Sequence, residues 1–350
     1  MQPTPTKRRN LLLTAGTTLA LHATPRWVTA GSSILSATSL LAAGTQPAAT
    51  QTAAETVLQG PNGWLFAGWE NLKDVDVGGI RSSIALLARA QELFQSAGIR
   101  LVLVVVPMKA VVVPHRLPAG MTLSDAIKAR YGLIQSEMTQ AGLLSVDGLT
   151  PLLDLERQNA PAFYRTDYHW TSAAAEATAD AAARVIKQHL KLPPSPAGGA
   201  QLGEWVTERH HGDLASKFLS PRARKLIGRD VFRVRLPPDQ ASGLLDDEAA
   251  PVHVMGNSFV QPYWGFSQRI SNQVQTGAAL TWNAGNVGQW AIALKHANEQ
   301  LKGQRKPSVL VWQMNEAQVH IGPQTAGLFD AASLMAPETW VEQLKLALST

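Results

Sequence analysis

The run Leu101-Val-Leu-Val-Val-Val106 constrains the fold more than any other stretch of the chain. It has no polar face and Pro107 stops it, so it reads as a strand buried on both sides, inside a parallel sheet covered by helices. The segments around it fit that frame. Residues 82–97 set Ile84, Leu87, Ala88, Leu93 and Phe94 at helical spacing and end before Gly98, a glycine stop. Residues 124–141 repeat the pattern, with Ser124 or Asp125 as cap and Gly142 as stop, and a short strand at 143–146 precedes Asp147-Gly148. A helix capped by Thr171 or Ser172 runs to about His189, ahead of Pro193-Pro194. Further apolar strands are read at 252–255, 278–282 and 309–312, with a helix at 289–301 and a closing helix at 338–348. Helices alternating with apolar strands predict an α/β fold of three layers with a mainly parallel central sheet.

Gly60-Pro-Asn-Gly63 is turn chemistry, and Trp64-Leu65-Phe66 after it is a short strand. From there one domain, residues 60–350, is expected, with a poorly defined excursion at about 192–246 that carries Gly212-Asp213-Leu214 and a basic patch from Arg222 to Arg229. Residues 44–59, rich in Thr, Ala, Gln and Pro, read as a linker because that composition builds no core. Ahead of it, residues 1–43 set Lys7-Arg8-Arg9 before an apolar run, the order of a twin-arginine export signal leading to the periplasm; a basic disordered tail is the alternative. The second apolar patch, 34–43, leaves cleavage and peripheral anchoring at the inner membrane both open.

Cysteine is absent, which excludes disulfides, a thiolate zinc site and a cysteine nucleophile. A formal charge of +5 suits an acidic partner such as an anionic polysaccharide or a membrane surface. The basic residues are scattered and not interleaved with aromatics, so no nucleic-acid partner is expected.

Chemistry concentrates in two places. Asp167-Tyr-His169-Trp170 puts an acid and an imidazole at i and i+2, on one side of an extended or turning backbone, just ahead of an alanine-rich helix. Val252-His-Val-Met-Gly-Asn-Ser258-Phe259 ends an apolar strand in a glycine turn, the way a strand presents a nucleophilic serine. In that reading Ser258 attacks an ester carbonyl, His169 takes its proton, and Asp167 holds the imidazole tautomer. The N–H groups of Ser258 and Gly288, with the Asn315 amide, would face the oxyanion, since all three follow predicted strand ends. Asp167 and His169 are also consistent with a loop junction alone, or with a metal site completed by His210 and His211, although no ligand spacing supports the metal. Tyr263 and Trp264 are candidates to stack on sugar rings, with core packing as the alternative. Lys109 and the Arg222 to Arg229 patch are candidates to meet uronate carboxylates, with a solvated charged face as the alternative.

Ser, Gly, Asn and His in these settings resemble the blocks of the SGNH hydrolases, with the His block placed before the Ser block. That permuted order, together with Gly63-Trp-Leu-Phe66, Val106-Pro-Met-Lys109, Asp167-x-His169-Trp170, Gly212-Asp-Leu214 and Gly256-x-Ser258-Phe259, resembles the periplasmic alginate O-acetyltransferases of the AlgJ and AlgX type. The resemblance covers residues 60–316. It implies a permuted SGNH hydrolase-like fold, an acetyl-serine intermediate and transfer of acetyl to hydroxyls of an exopolysaccharide, with no cofactor. It also implies an acetyl donor supplied by a membrane-bound O-acyltransferase. Asn257 departs from the usual Asp of the serine block. The chain also ends soon after the SGNH-like region, closer to the AlgJ than the AlgX pattern. An esterase with the same site and a non-catalytic polysaccharide-binding component are the competing functions.

Overall fold

The computed structural model describes residues 57–193, 198–236, 250–302 and 306–349. The expected export signal and most of the expected linker lie outside the described residues. The linker's last three residues do not behave as linker: β1 (Val57–Gln59) pairs antiparallel with β2 (Leu65–Ala67) across the Gly60–Gly63 turn.

The chain then runs α1 (Val77–Ser96), β3 (Arg100–Val106), α2 (Lys109–Val112), α3 (Asp125–Gln140), β4 (Ser145–Val146), α4 (Leu149–Arg157) and α5 (Ser172–His189). Next come β5 (Trp205–His210), α6 (Asp213–Phe218), α7 (Pro221–Ile227), β6 (Asp230–Arg235), β7 (Val252–Gly256) and α8 (Phe266–Val274). The described chain finishes with β8 (Ala278–Trp282), α9 (Gln289–His296), β9 (Val309–Asn315) and α10 (Pro337–Leu348).

β4, β3, β9, β7 and β8 form one sheet in that order, every pair parallel. The apolar run Leu101–Val106 lies in its second strand, β3. Alternate residues of that run serve opposite cores: Val102, Val104 and Val106 face one, and Leu101, Leu103 and Val105 the other. The first face is covered by α5 and α8. Their contacts include Ala174, Ala175, Ala179 and Ala182 of α5, small side chains that let the helix lie close to the sheet. On the second face lie α1, α3, α9 and α10. Burial on both sides is worth roughly 1.5–3 kcal/mol per large aliphatic side chain, which is why these strands tolerate no polar face.

Two expectations need correction. The excursion at 192–246 is ordered through most of its length, since β5 and β6 pair antiparallel and bracket α6 and α7. β6 buries Asp230, Phe232 and Val234 on one face, the period of two that marks a half-buried strand. Helix α9 stops at His296 and continues as a π turn, Ala297–Leu301. Helices α4 and α8 are absent from the sequence reading. They are short, at nine residues each, and so carry little periodicity.

Candidate active site

β3, β7, β8 and β9 all release their chains at the same edge of the sheet, so the loops after them meet there. At the end of β7, Gly256 is needed because a Cβ there would sit 2.5 Å from the Gln313 side-chain oxygen of β9. That same oxygen accepts the Asn257 N–H at 3.1 Å, and Asn257 Oδ1 accepts the Phe259 N–H at 3.0 Å. The turn is therefore stapled on both sides of Ser258. The Ser258 N–H itself has no acceptor among the described residues.

The loop between α4 and α5 brings Asp167 and His169. Lys109 holds it from beneath: its ammonium donates to the carbonyls of Leu65, Tyr164, Arg165 and Asp167 at 2.6–3.1 Å. Burial pushes the Lys109 ammonium down to about 7, against the pull of Asp167, Asp230, Asp213 and Glu70. Asp230 Oδ2 of β6 accepts the Thr166 N–H and hydroxyl at 2.6 and 2.8 Å, and the Thr166 hydroxyl accepts the Gly212 N–H at 3.0 Å. A Cβ on Gly212 would stand 2.5 Å from the Thr166 and Asp167 backbone. Glycine is what lets α6 approach.

Asp167 Oδ1 accepts the His169 backbone N–H at 2.8 Å and lies 2.7 Å from His169 Nδ1; His169 Nε2 lies 2.8 Å from Ser258 Oγ. Asp213 completes the frame by donating its N–H to Asp167 Oδ2 and accepting the Tyr168 N–H, both at 2.8 Å. Burial opposes the charge on Asp167, but the His169 imidazole holds its carboxyl well below the usual range. Burial likewise works to lower His169, and the hydrogen bond and charge of Asp167, with the charge of Asp213, raise it. The imidazole stacks on Trp264 at 5.3 Å, and the Trp264 indole N–H donates to the Ser258 carbonyl at 2.9 Å.

Asn315, at the end of β9, accepts from Gln313 Nε2 at 2.9 Å, which leaves its amide nitrogen facing the Tyr168 hydroxyl. That hydroxyl donates to Glu70 at 2.9 Å, and burial pushes the Glu70 carboxyl up to about 7. Asp167, His169, Ser258 and Asn315 together line an open cleft of about 720 Å³, walled by Trp69, Tyr263 and Trp282.

The structure thus brings Asp167, His169, Ser258 and Asn315 together, and it places two other candidates, Gly288 and Lys109, elsewhere. Gly288 is outside the cleft lining: its N–H bonds the Gly285 carbonyl at 3.3 Å, and its Cα backs onto the Phe329 ring. Lys109 is buried with its protons spent on backbone, so it meets no substrate carboxylate. Trp264 borders the cleft, but it is 3% exposed and stacks on the imidazole. Tyr263 does line the cleft, and its hydroxyl donates to Glu208 at 2.8 Å. His210 and His211 also line it, with His210 stacked on Phe232 at 3.7 Å. Donor atoms of Asp167, His169 and Asp213 lie within 4.8 Å of one another, a geometry a metal could use, but each is engaged in the loop's own hydrogen bonds. Asp213, Tyr168, Glu70, Trp69 and Trp282 were not among the sequence candidates. Only Asp213 left a signal, in Gly212-Asp-Leu214.

Residues 57–316 match the family described as "SGNH hydrolase-like domain, acetyltransferase AlgX". Among curated proteins, a probable alginate O-acetylase AlgJ of Pseudomonas aeruginosa is 30% identical over 312 residues, covering 83% of this chain and 75% of that one. The corresponding Pseudomonas putida protein is 27% identical over 282 residues, covering 74% and 69%. The solved O-acetyltransferase domain of Pseudomonas putida AlgJ superposes with a TM-score of 0.66 at 25% identity, over 83% of this chain and 98% of that one. The Pseudomonas aeruginosa AlgX structure shares the fold, with a TM-score of 0.58 at 19% identity over 84% of this chain and 67% of that one. A parallel sheet with a serine turn, a histidine loop and an asparagine at one edge, matched over three quarters of its length, makes this chain a member of the SGNH hydrolase-like acetyltransferase family of AlgX and AlgJ.

Proposed function

We propose that the chain transfers acetyl groups to hydroxyls of an exported, alginate-like polysaccharide through an acetyl-Ser258 intermediate. The single observation that carries the reading is the unbroken line from Asp167 through His169 to Ser258 Oγ, at 2.7 and 2.8 Å, on the wall of an open cleft. The names of the AlgJ relatives supply the polymer class.

His169 Nε2 takes the Ser258 proton as Oγ bonds to the acetyl carbonyl carbon of the donor. Charge then gathers on the carbonyl oxygen, for which the unpaired Ser258 N–H and the Asn315 amide are the donors. Collapse expels the donor's oxygen, which takes the proton from His169, and leaves acetyl on Ser258. A sugar hydroxyl next gives its proton to Nε2 as its oxygen attacks. Ser258 Oγ leaves and recovers that proton, so the enzyme is unchanged and one acetyl has moved. Twin-arginine export to the periplasm and a donor handed over by a membrane-bound O-acyltransferase belong to the same proposal.

The test is acetyl release from a chromogenic acetyl ester by the full chain, with and without deacetylated alginate. Ser258→Ala and His169→Ala should each lose two to four orders of magnitude, as roughly expected for a nucleophile and its base. Acetyl on the polymer makes the chain a transferase, and release to water alone makes it an esterase. Activity indifferent to both substitutions would leave the non-catalytic binding component as the better reading.

A further inference from the structure

His211 stands between two concavities. One is the cleft that holds Ser258, and the other is a shallow lobe of about 430 Å³ formed by α7 and the turn after it, lined by Arg224, Lys225 and Arg229. Arg224 ties the two together: its Nη1 donates to the carbonyl of Ser216, a residue of the cleft wall, at 3.1 Å. Lys225 and Arg229 are exposed, and neither has a carboxylate partner among the described residues. Other cations beside the site are held by carboxylates, as Arg235 is by Glu176 and Arg165 by Asp230. At the other end of the cleft the charge reverses. A second side lobe, of about 380 Å³, joins it past Trp69 and Tyr168 and carries Asp74 and Asp76, while its one arginine, Arg130, is paired with the buried Glu316 at 3.0 Å.

From this polarity we infer that the α7 lobe is a carboxylate-binding subsite that holds the uronate groups of the acceptor chain beside the sugar being acetylated. The inference rests on the proposed transfer to a polysaccharide and adds where on the surface the carboxylates of that chain are held. A polyuronate presents one carboxylate per sugar, and a guanidinium and an ammonium on one rim match successive carboxylates along it. Each exposed pair is weak and screened by salt, so the subsite works through repetition along the polymer. The acidic lobe repels the same chain. A polyanion therefore lies across His211 toward α7 and approaches Ser258 from that side only. Asp213 and Lys217, nearer the serine, pair with one another at 3.3 Å and leave the net positive charge to the outer lobe.

The experiment compares the full chain with a Lys225→Gln, Arg229→Gln variant, using deacetylated alginate oligomers and a neutral glucan oligomer as acceptors at low and at physiological salt. Hydrolysis of a chromogenic acetyl ester reports that the variant is folded and its serine site intact. The expected result is a KM for the anionic acceptor raised roughly tenfold in the variant at low salt, as for losing two steering charges, with ester hydrolysis unchanged. Salt should raise the same KM in the wild type and have much less effect in the variant. Equal use of the neutral and anionic acceptors by the wild type, or an unchanged KM in the variant, would overturn the subsite while leaving the transferase standing. Failure of the wild type to acetylate either polymer would instead strike at the transferase proposal itself.

Discussion

His169 must be neutral to take the Ser258 proton, yet its neighbours favour the charged form. Burial alone would lower its pKa, but the hydrogen bond it donates to Asp167 and the charges of Asp167 and Asp213 outweigh it, so the ring titrates above the ordinary histidine value. The sign for the proposed reaction follows: activity is full above that pKa and falls as pH drops through it. For ester hydrolysis, kcat/KM should therefore show an acid limb centred above pH 6.5, the ordinary histidine value. Asp213→Asn removes one raising charge while its side-chain oxygen can still accept the Tyr168 N–H, so the limb should move toward lower pH with the plateau retained. A limb that stays in place would mean that Asp213 acts on the backbone alone. The dyad was legible because Asp167 and His169 are two residues apart. Asp213 was not, because its place beside them depends on Gly212 letting α6 approach the loop, a contact across 46 positions. Lys109 was misread for a related reason. A cation after Pro-Met looks solvated until the fold collects four carbonyls around it.

Between elements, β7, β8 and α9 bury a second pair of imidazoles away from the cleft. His253 and His296 lie 4.2 Å apart, and both approach the Thr281 hydroxyl, at 2.8 and 3.3 Å. One hydroxyl proton serves only one ring as donor, so the other ring donates to the Thr281 oxygen and both stay neutral. Burial lowers His253 to about 4; burial, and then the charge of His253, lowers His296 to about 3. Both folded values lie below the unfolded value of 6.5, so the unfolded chain binds protons first. The stability these groups allow is intact above pH 6.5 and drains as pH falls toward 4 and then 3. Denaturant unfolding should lose on the order of 2 kcal/mol between pH 6.5 and 4 through His253 alone. His253→Leu should flatten that part of the pH dependence, and an unchanged slope would assign the acid sensitivity to other groups. In the sequence, Val252-His-Val reads simply as an apolar strand, since nothing local reports that Thr281 and His296 will close over the ring.

At the scale of the whole molecule, what could be read early was what is punctuated locally. Continuous apolar strands, glycine stops and prolines gave the parallel sheet and placed Ser258 and Asn315 at its edge. Features fixed by packing over long distances were hidden, among them the β5–β6 pair, the lobe on α7 and the exclusion of Gly288 from the cleft. The same distinction governs α10. Its sequence shows an ordinary amphipathic helix, but Trp340 closes one core against Trp290 at 5.1 Å and Trp312 at 6.4 Å, and its indole N–H donates to the Trp290 carbonyl at 2.8 Å. Trp290 belongs to α9 and Trp312 to β9, so α10 fastens a helix and a sheet strand at once. Trp340 is fully buried. Trp340→Ala should cost roughly 3–5 kcal/mol, from lost transfer energy and the cavity left behind. The cluster lies on the α9–α10 face and the proposed chemistry at the sheet edge, so ester hydrolysis per folded molecule should be nearly unchanged well below the new melting point. Measuring the denaturation midpoint and kcat on the same preparations separates the two: a fall in kcat with stability preserved would mean that the tryptophan cluster positions β9 and Asn315 for catalysis rather than holding the fold together.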